Sequence, residues 1–220
     1  MRVDLRLYAL IDPEHAGGRN VVALARLAAE AGATIIQLRD KRSSTRSMVD
    51  DARSIKAALA PLHVPFLIND RVDVALACGA DGVHLGQDDM RIKDARRLLG
   101  SSSIIGLSIK AVAEADDAPL DLLDYVGIGG VFATTSKDNP APPIGIAGLA
   151  RIIEAVRRRA PNLPACAIAG ITLENAAETI AAGGDGIAVI SAISLQGDPH
   201  AAAQRLRAAV DGALGKRQGL

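Results

Sequence analysis

Cationic, carboxylate and amide side chains gather at the ends of three short apolar runs in the first half of the chain. The runs cover residues 35–41, 66–70 and 83–89. Their polar end residues are Gln37, Arg39, Asp40, Lys41, Asn69, Asp70, Gln87, Asp88 and Asp89. Arginine and lysine bind phosphate oxygens, and one or two carboxylates are the usual protein ligands of Mg²⁺. These residue types predict a site for a highly charged anion and a hard divalent cation.

Each of these polar residues also has a purely structural interpretation. The charged run 39–41 is compatible with local ion pairs on a solvated strand end. Asp70 and Asp89 precede predicted helices and are compatible with N-caps. His84 alternates inward along its strand and is predicted to be a satisfied core histidine rather than a metal ligand. Their joint placement at successive strand ends favours a shared site, because buried parallel strands are normally almost wholly apolar.

Short β-like runs alternate with helical patterns along the chain, at a period of roughly 25 residues. The predicted strands cover residues 5–12, 34–40, 65–70, 82–86, 104–109, 125–132, 165–171 and 186–193. The predicted helices cover residues 21–31, 48–59, 72–78, 92–99, 147–160, 173–182 and 201–214. Eight such units predict an α/β fold, a single-domain (β/α)8 TIM barrel over residues 1–215 with its active site at the C-terminal ends of the strands. A doubly wound open sheet is the structural alternative, and residues 216–220 are predicted to be a flexible tail.

The longest irregular segment covers residues 133–145. A loop of this length in a compact domain is often a functional lid. Its first polar residues are Thr134, Thr135, Ser136 and Lys137. The loops after the seventh and eighth strands of a barrel often bind phosphate through backbone N–H groups at a helix N-terminus. In this chain those loops are the segments 170–172 and 190–192.

The composition restricts the classes of partner. The 220 residues include 25 Lys plus Arg and 25 Asp plus Glu, so the formal net charge is +0. This balance gives no electrostatic reason to expect nucleic acid or an anionic membrane surface as a partner. Cys78 and Cys166 lie outside any CxxC spacing and are predicted to be buried free thiols. Because a signal-peptide pattern and a long uncharged apolar stretch are both lacking, a cytoplasmic protein is expected; self-association is left open.

An ordered set of motifs resembles the thiamine-phosphate synthase family. The motifs are residues 37–41 (QLRDK), 68–73 (INDRVD), 82–89 (GVHLGQDD), 106–108 (GLS), 125–129 (YVGIG), 131–137 (VFATTSK) and 186–191 (GIAVIS). They follow one another in family order from the second predicted strand to the eighth. One departure is Ala169, which stands where the family commonly has glycine.

The resemblance implies an enzyme that makes thiamine phosphate. Its substrates would be 4-amino-2-methyl-5-hydroxymethylpyrimidine diphosphate and hydroxyethylthiazole phosphate, the latter also in its carboxylated form. Pyrophosphate would leave first with the help of Mg²⁺, and the thiazole nitrogen would then attack a pyrimidine-stabilised carbocation. Closure of the lid would bring Lys137 onto the diphosphate and exclude water.

The resemblance also implies a role for individual residues. The pyrimidine diphosphate site would comprise Gln37, Leu38, Arg39, Asp40, Lys41, Asn69, Ser108 and Lys137. The thiazole phosphate site would comprise Thr134, Thr135, Ser136, Gly170, Ile190 and Ser191. The Mg²⁺ ligands would be Asp70 and Asp89. The groups expected to neutralise the leaving pyrophosphate, and thus to be catalytic, are Arg39, Lys41, Ser108 and Lys137.

Two other functions compete with the synthase. The first is a thiazole tautomerase of the same fold, which would lack parts of the metal and diphosphate apparatus. The second is a non-catalytic sensor that binds phosphate ligands without turnover and would have lost the metal carboxylates. The chain retains Asp70, Asp89, Ser108 and Lys137, which favours the synthase.

Overall fold

Eight parallel strands close into a barrel in the computed structural model, which describes residues 3–136 and 141–219. The strands are β1 (Leu7–Ile11), β2 (Ile35–Leu38), β3 (Phe66–Asn69), β4 (Gly82–Leu85), β5 (Ile104–Ile109), β6 (Tyr125–Ile128), β7 (Ala165–Ile168) and β8 (Gly186–Val189). Each strand pairs with the next in the sequence, and β1 pairs with β8 through Leu7 and Ile187. The predicted (β/α)8 barrel is therefore confirmed, and the open-sheet alternative is wrong.

Helices alternate with the strands and cover the outside of the barrel. They are α1 (Val21–Glu30), α2 (Thr45–Leu59), α3 (Val72–Cys78), α4 (Ile92–Leu99), α5 (Val112–Asp117), α6 (Gly145–Arg159), α7 (Leu173–Ala181), α8 (Ser191–Ser194) and α9 (Pro199–Gln218). Within the described ranges, three short 3-10 helices cover Pro13–His15, Ala60–Leu62 and Leu120–Leu122. The sequence did not predict α5 and α8, because segments of 6 and 4 residues are too short to display an apolar stripe.

Several strands end earlier than predicted. The sixth was expected to reach residue 132, but β6 ends at Ile128. After β6, the backbone N–H of Phe132 donates to the carbonyl of Ala169 at 3.0 Å. Residues 129–132 therefore contact the loop after β7 instead of extending the strand. Likewise β8 ends at Val189, because Ser191 begins α8. The apolar residues that prolonged these predicted strands belong to the loops that cover the barrel opening.

The core has two layers. The larger layer lies between the strands and the helices, and the smaller one fills the barrel interior. Both tyrosines of the chain, Tyr8 and Tyr125, lie in the interior layer and are almost completely buried. Both thiols are free, as predicted, and Cys166 is buried; the predicted burial is wrong for Cys78, which is half-buried. Burial raises the pKa of the Cys166 thiol to about 12, which keeps it protonated and inert.

The C-terminal segment is helical. Helix α9 continues to Gln218, and Arg217 donates to the carbonyl of Gly184 at 2.8 Å and to the Asp185 carboxylate at 3.1 Å. The flexibility expected from residue 216 onward stays a prediction. Across the ranges 3–136 and 141–219, no helix combines the length and the apolar character that a membrane crossing requires.

Candidate active site

A cavity of about 850 Å³ opens at the C-terminal ends of the strands. The predicted site residues that line it are Gln37, Arg39, Asn69, Ser108, Thr134, Thr135, Ser136, Gly170, Ile190 and Ser191. A second hollow of about 490 Å³ shares Arg39, Thr135 and Ser136 with the first and adds Lys41. We call the cavity and the adjoining hollow together the bowl. The structure therefore brings residues of both predicted substrate sites to this bowl.

Two residues of the QLRDK motif do not present their side chains to this bowl. Leu38 is 1% exposed and belongs to the core layer between the strands and helices. Successive side chains of a strand point to opposite faces, so Gln37 and Leu38 cannot both face the interior. The Asp40 carboxylate accepts the backbone N–H groups of Arg42 and Ser43, each at 2.9 Å, and stabilises the turn after β2.

Arg39 is held by a carboxylate that the sequence did not identify. Its guanidinium donates to Asp12, which follows β1 and is 1% exposed. Asp12 also accepts the backbone N–H of Glu14 at 3.0 Å. A largely buried arginine that is paired on one side presents its remaining N–H groups in a fixed direction, which suits a phosphate ligand. The sequence carries one signal for Asp12, since this residue also follows a buried apolar run.

Asp70 and Asp89 lie close together at the ends of neighbouring strands. Lys41 forms an ion pair with Asp70, and Asp89 accepts the backbone N–H of Gly86 at 2.7 Å. Burial raises the pKa of Asp89, and the proximity of the Asp70 carboxyl raises it further. The N-cap interpretation is wrong for both aspartates, because the N-cap positions of α3 and α4 are Arg71 and Arg91.

The two aspartates fit a divalent cation. Two like-charged carboxylates in a partly buried position repel each other, and a cation between them would relieve that repulsion. Within residues 3–136 and 141–219, no cluster of three or more His, Cys, Asp or Glu side chains could hold a metal ion. A pair of carboxylates alone suits Mg²⁺, which usually keeps positions open for phosphate oxygens and water.

The loops after β6, β7 and β8 meet on the opposite side of the bowl. The Ser136 hydroxyl donates to Ser191 Oγ at 3.3 Å, and Ser136 is 7% exposed. Gly170 has φ +64°, and a Cβ there would lie 2.3 Å from the carbonyl oxygen of Ala133. Gly170 is therefore required for close contact between the two loops. Lys137, the last residue of the predicted lid motif, lies outside the described residues.

The N-terminus of α7 is capped by residues of the same segment. The backbone N–H of Thr172 donates to Asn175 Oδ1 at 2.8 Å, within a capping box formed by these two residues. The amide of Asn175 also donates to the carbonyl of Gly170 at 2.9 Å. These bonds fix the loop after β7.

Ala169 adopts a backbone conformation that favours glycine. Its φ is +86°, which strains an L-residue with a Cβ. We expect Ala169→Gly to stabilise the protein by about 1 kcal/mol, because relief of strain exceeds the added freedom of the unfolded chain. Urea unfolding measures the change. The matched control is Ala167→Gly, inside β7, which should destabilise instead; equal destabilisation by both changes would contradict the strain at Ala169.

Gln37 and His84 lie at the base of the bowl. Gln37 is 1% exposed, and its Oε1 atom has no hydrogen-bond partner in the part of the chain that the structure describes. His84 contacts Tyr125 Oη through Nδ1 and Ser108 Oγ through Nε2, both at 2.8 Å. The prediction of a satisfied core histidine is thus confirmed, because both ring nitrogens are engaged within the protein.

Known proteins resemble this chain over nearly its whole length. The family described as thiamine monophosphate synthase matches residues 7–193. The thiamine-phosphate synthase of Agrobacterium fabrum is 50% identical over 217 residues, which cover 99% of each chain. The thiamine-phosphate synthase of Chloroflexus aurantiacus is 46% identical over 208 residues, which cover 94% of each chain. The solved structure of a thiamine phosphate pyrophosphorylase from Pyrococcus furiosus is 39% identical with a TM-score of 0.85, and the match covers 97% of this chain and 99% of that one.

Proposed function

The chain belongs to the thiamine monophosphate synthase family and is a transferase of thiamine biosynthesis that releases pyrophosphate, and we propose how its bowl carries out the transfer. The pyrimidine diphosphate lies on the side of β2, β3 and β5, and hydroxyethylthiazole phosphate or its carboxylated form lies on the side of the late loops. Pyrophosphate leaves with the bonding electrons, and the thiazole nitrogen then attacks the exposed pyrimidine methylene carbon. The products are thiamine phosphate and pyrophosphate.

The single observation that carries this proposal is the shared cavity. Gln37 and Ser108 line the same space as Ser136 and Ser191, although they come from opposite sides of the barrel. A volume of about 850 Å³ is at the upper end of ordinary ligand pockets and suits two substrates held side by side. Because both reactants are already held in attack geometry, the reacting step no longer includes the loss of their translational and rotational entropy. In well-oriented systems this lowers the barrier by about 7–11 kcal/mol.

Fixed cations stabilise the leaving group. Departing pyrophosphate carries several negative charges that protons cannot neutralise at neutral pH. Arg39, oriented by buried Asp12, donates to phosphate oxygens, and Lys41, which lines the second hollow together with Arg39, supplies a second positive charge. Lys137 contributes a third charge when the lid closes, as expected from its motif. The bond-breaking step then needs no side-chain nucleophile.

Asp70 and Asp89 hold Mg²⁺ in this proposal. When bound, the ion supplies further positive charge to the diphosphate oxygens. Lys41 forms an ion pair with Asp70. Its ammonium therefore lies beside the carboxylates that would hold the ion, where it would supply a second positive charge to the diphosphate. The cytoplasmic location stays a prediction, and self-association stays open.

An assay with both substrates separates the candidate functions. Purified protein is mixed with the pyrimidine diphosphate, Mg²⁺ and either thiazole form, and released pyrophosphate and thiamine phosphate are quantified. We expect equal amounts of the two products and a strong decrease when the metal is chelated. Conversion between thiazole forms without pyrophosphate would indicate the tautomerase, and binding without any product would indicate the sensor.

A further inference from the structure

Five side chains form a continuous hydrogen-bonded path across the barrel interior, which we call the interior chain. Gln37 Nε2 donates to Tyr8 Oη. The Tyr8 and Tyr125 hydroxyls are 2.9 Å apart. Tyr125 Oη then contacts His84 Nδ1, and His84 Nε2 contacts Ser108 Oγ, both at 2.8 Å. The path begins and ends at predicted ligands of the pyrimidine diphosphate, and its three middle residues have no role in the mechanism above.

The middle of the interior chain is dry and closely packed. Tyr8 is 1% exposed and Tyr125 is completely buried. Their ring centroids are 5.8 Å apart, and the centroids of Tyr125 and His84 are 5.5 Å apart. Burial raises the pKa of both tyrosines far above its usual value, so each keeps exactly one hydroxyl hydrogen at neutral pH.

Two strand glycines provide the space that the interior chain occupies. A Cβ on Gly106 would lie 2.1 Å from Tyr125 Cζ, and a Cβ on Gly127 would lie 2.9 Å from His84 Cε1. Glycine weakens a strand interior and often marks a close approach by another group. Both glycines are on strands that neighbour each other in the barrel, so the backbone is shaped around these two side chains.

The first bond determines the direction of all the others. Since Gln37 Nε2–H donates to Tyr8, the Tyr8 hydrogen is left for Tyr125. Tyr125 then donates to His84 Nδ1, which places the ring hydrogen on Nε2, where it donates to Ser108 Oγ. In the reverse order, Tyr8 would accept twice and its own hydrogen would be buried without a partner, which is costly.

We propose that Tyr8, Tyr125 and His84 are positioning residues that set the donor and acceptor pattern presented to the pyrimidine diphosphate. At one end, the Ser108 hydroxyl hydrogen is left free to point at the diphosphate. At the other end, Gln37 Oε1, buried and without a partner among the described residues, accepts an N–H from the aminopyrimidine. This assignment rests on the proposed function, since it uses the same substrate.

The tautomer of His84 tests the direction of the interior chain without any substrate. Two-bond ¹⁵N–¹H spectra of histidine-labelled protein at mildly alkaline pH report which ring nitrogen carries hydrogen, and His84→Gln identifies the signal. We expect the Nε2–H tautomer in the unmodified protein, but a mixture in Tyr125→Phe, which loses the donor to Nδ1. The Nδ1–H tautomer in the unmodified protein would overturn the direction.

Steady-state kinetics test the positioning role. Tyr125→Phe is expected to lower kcat/KM for the pyrimidine diphosphate about tenfold, the value of one hydrogen bond, and to leave KM for the thiazole phosphate unchanged. The control is Thr179→Val, which removes a buried hydroxyl on α7 outside the interior chain. It should lower thermal stability and leave both kinetic constants unchanged.

A double variant separates positioning from general structural damage. If Tyr125 acts through Ser108, Ser108→Ala combined with Tyr125→Phe is expected to be no slower than Ser108→Ala alone. The positioning role would be overturned if the losses in kcat/KM of the two single variants were fully additive in the double variant, or if Tyr125→Phe had the kinetic constants of the unmodified protein. The synthase function would stand in either case. Absence of pyrophosphate release from the unmodified protein would instead reject the proposed function itself and this role with it.

Discussion

Asp89→Asn is expected to lower the rate of Mg²⁺-dependent pyrophosphate release about 10³-fold, because a metal site supplies several kcal/mol of charge stabilisation in the transition state. Asparagine keeps the shape and an oxygen that can accept the backbone N–H of Gly86, which Asp89 accepts at 2.7 Å. The fold should therefore survive. The measurement is pyrophosphate release at saturating substrates over a series of Mg²⁺ concentrations.

The same substitution is expected to stabilise the metal-free protein at neutral pH. Burial and then the Asp70 carboxyl raise the pKa of Asp89, so the folded protein binds this proton more tightly than the unfolded chain. Ionisation of this carboxyl therefore opposes folding. The stability that the protonated carboxyl contributes is present at low pH and is lost as pH rises through the raised pKa. Asparagine removes that loss, and the melting temperatures of the two proteins should converge as pH falls.

Asp88→Asn is the matched control for this experiment. Asp88 precedes Asp89 in the chain and is exposed to solvent. Its substitution changes the net charge by the same amount and should change neither turnover nor melting temperature appreciably. Unchanged turnover in Asp89→Asn would remove Asp89 from the proposed metal site, and lower stability at neutral pH would mean that its charge supports the fold.

Much of the bowl could be predicted because parallel strands in a barrel point their C-terminal ends to one face. That rule places Asn69, Ser108 and Ser191 together although they are far apart in the chain, and the structure brings all three to the cavity. Strand alternation corrects the prediction within one motif, since Gln37 faces inward and Leu38 outward. When all residues of a motif are assigned to one site, the inner and outer faces of the strand are not distinguished.

The contacts across the barrel could not be predicted from local pattern. Tyr8 and Tyr125 are 117 residues apart, and their contact depends on which strands face each other across the interior. In the sequence, Gly106 and Gly127 are simply residues that weaken a strand. Their role in making space is evident only once the side chains beside them are known. The pairing of Asp12 with Arg39 could not be predicted for a related reason: the two residues follow neighbouring strands, and no spacing rule joins them.

Asp12→Ala is expected to destabilise the fold by about 3–5 kcal/mol, the usual loss when one member of a buried ion pair is removed. The Arg39 side chain is only 12% exposed and the Asp12 side chain 1% exposed. Without Asp12, the guanidinium is left poorly solvated, and the backbone N–H of Glu14 also loses its acceptor. Urea unfolding of both proteins measures the difference.

The neighbouring pair Arg42–Glu14 gives a control with the same chemistry and a different environment. Its side chains are 78% and 41% exposed, so Glu14→Ala should change stability by less than about 1 kcal/mol. Equal effects from the two alanine substitutions would mean that burial of the Asp12–Arg39 pair is unimportant.

Pyrophosphate binding tests whether the stability lost in Asp12→Ala reflects a role of Asp12 in the active site. If Arg39 faces the diphosphate, bound pyrophosphate supplies a substitute anion and should restore part of the stability that Asp12→Ala loses, since a ligand of the folded state shifts the unfolding equilibrium by mass action. Inorganic sulfate at matched ionic strength separates this effect from salt screening. Recovery with pyrophosphate alone indicates that Asp12 orients a diphosphate-binding arginine. Absence of recovery in a folded, pyrophosphate-binding variant would mean that the pair is purely structural and that Arg39 does not contact the leaving group.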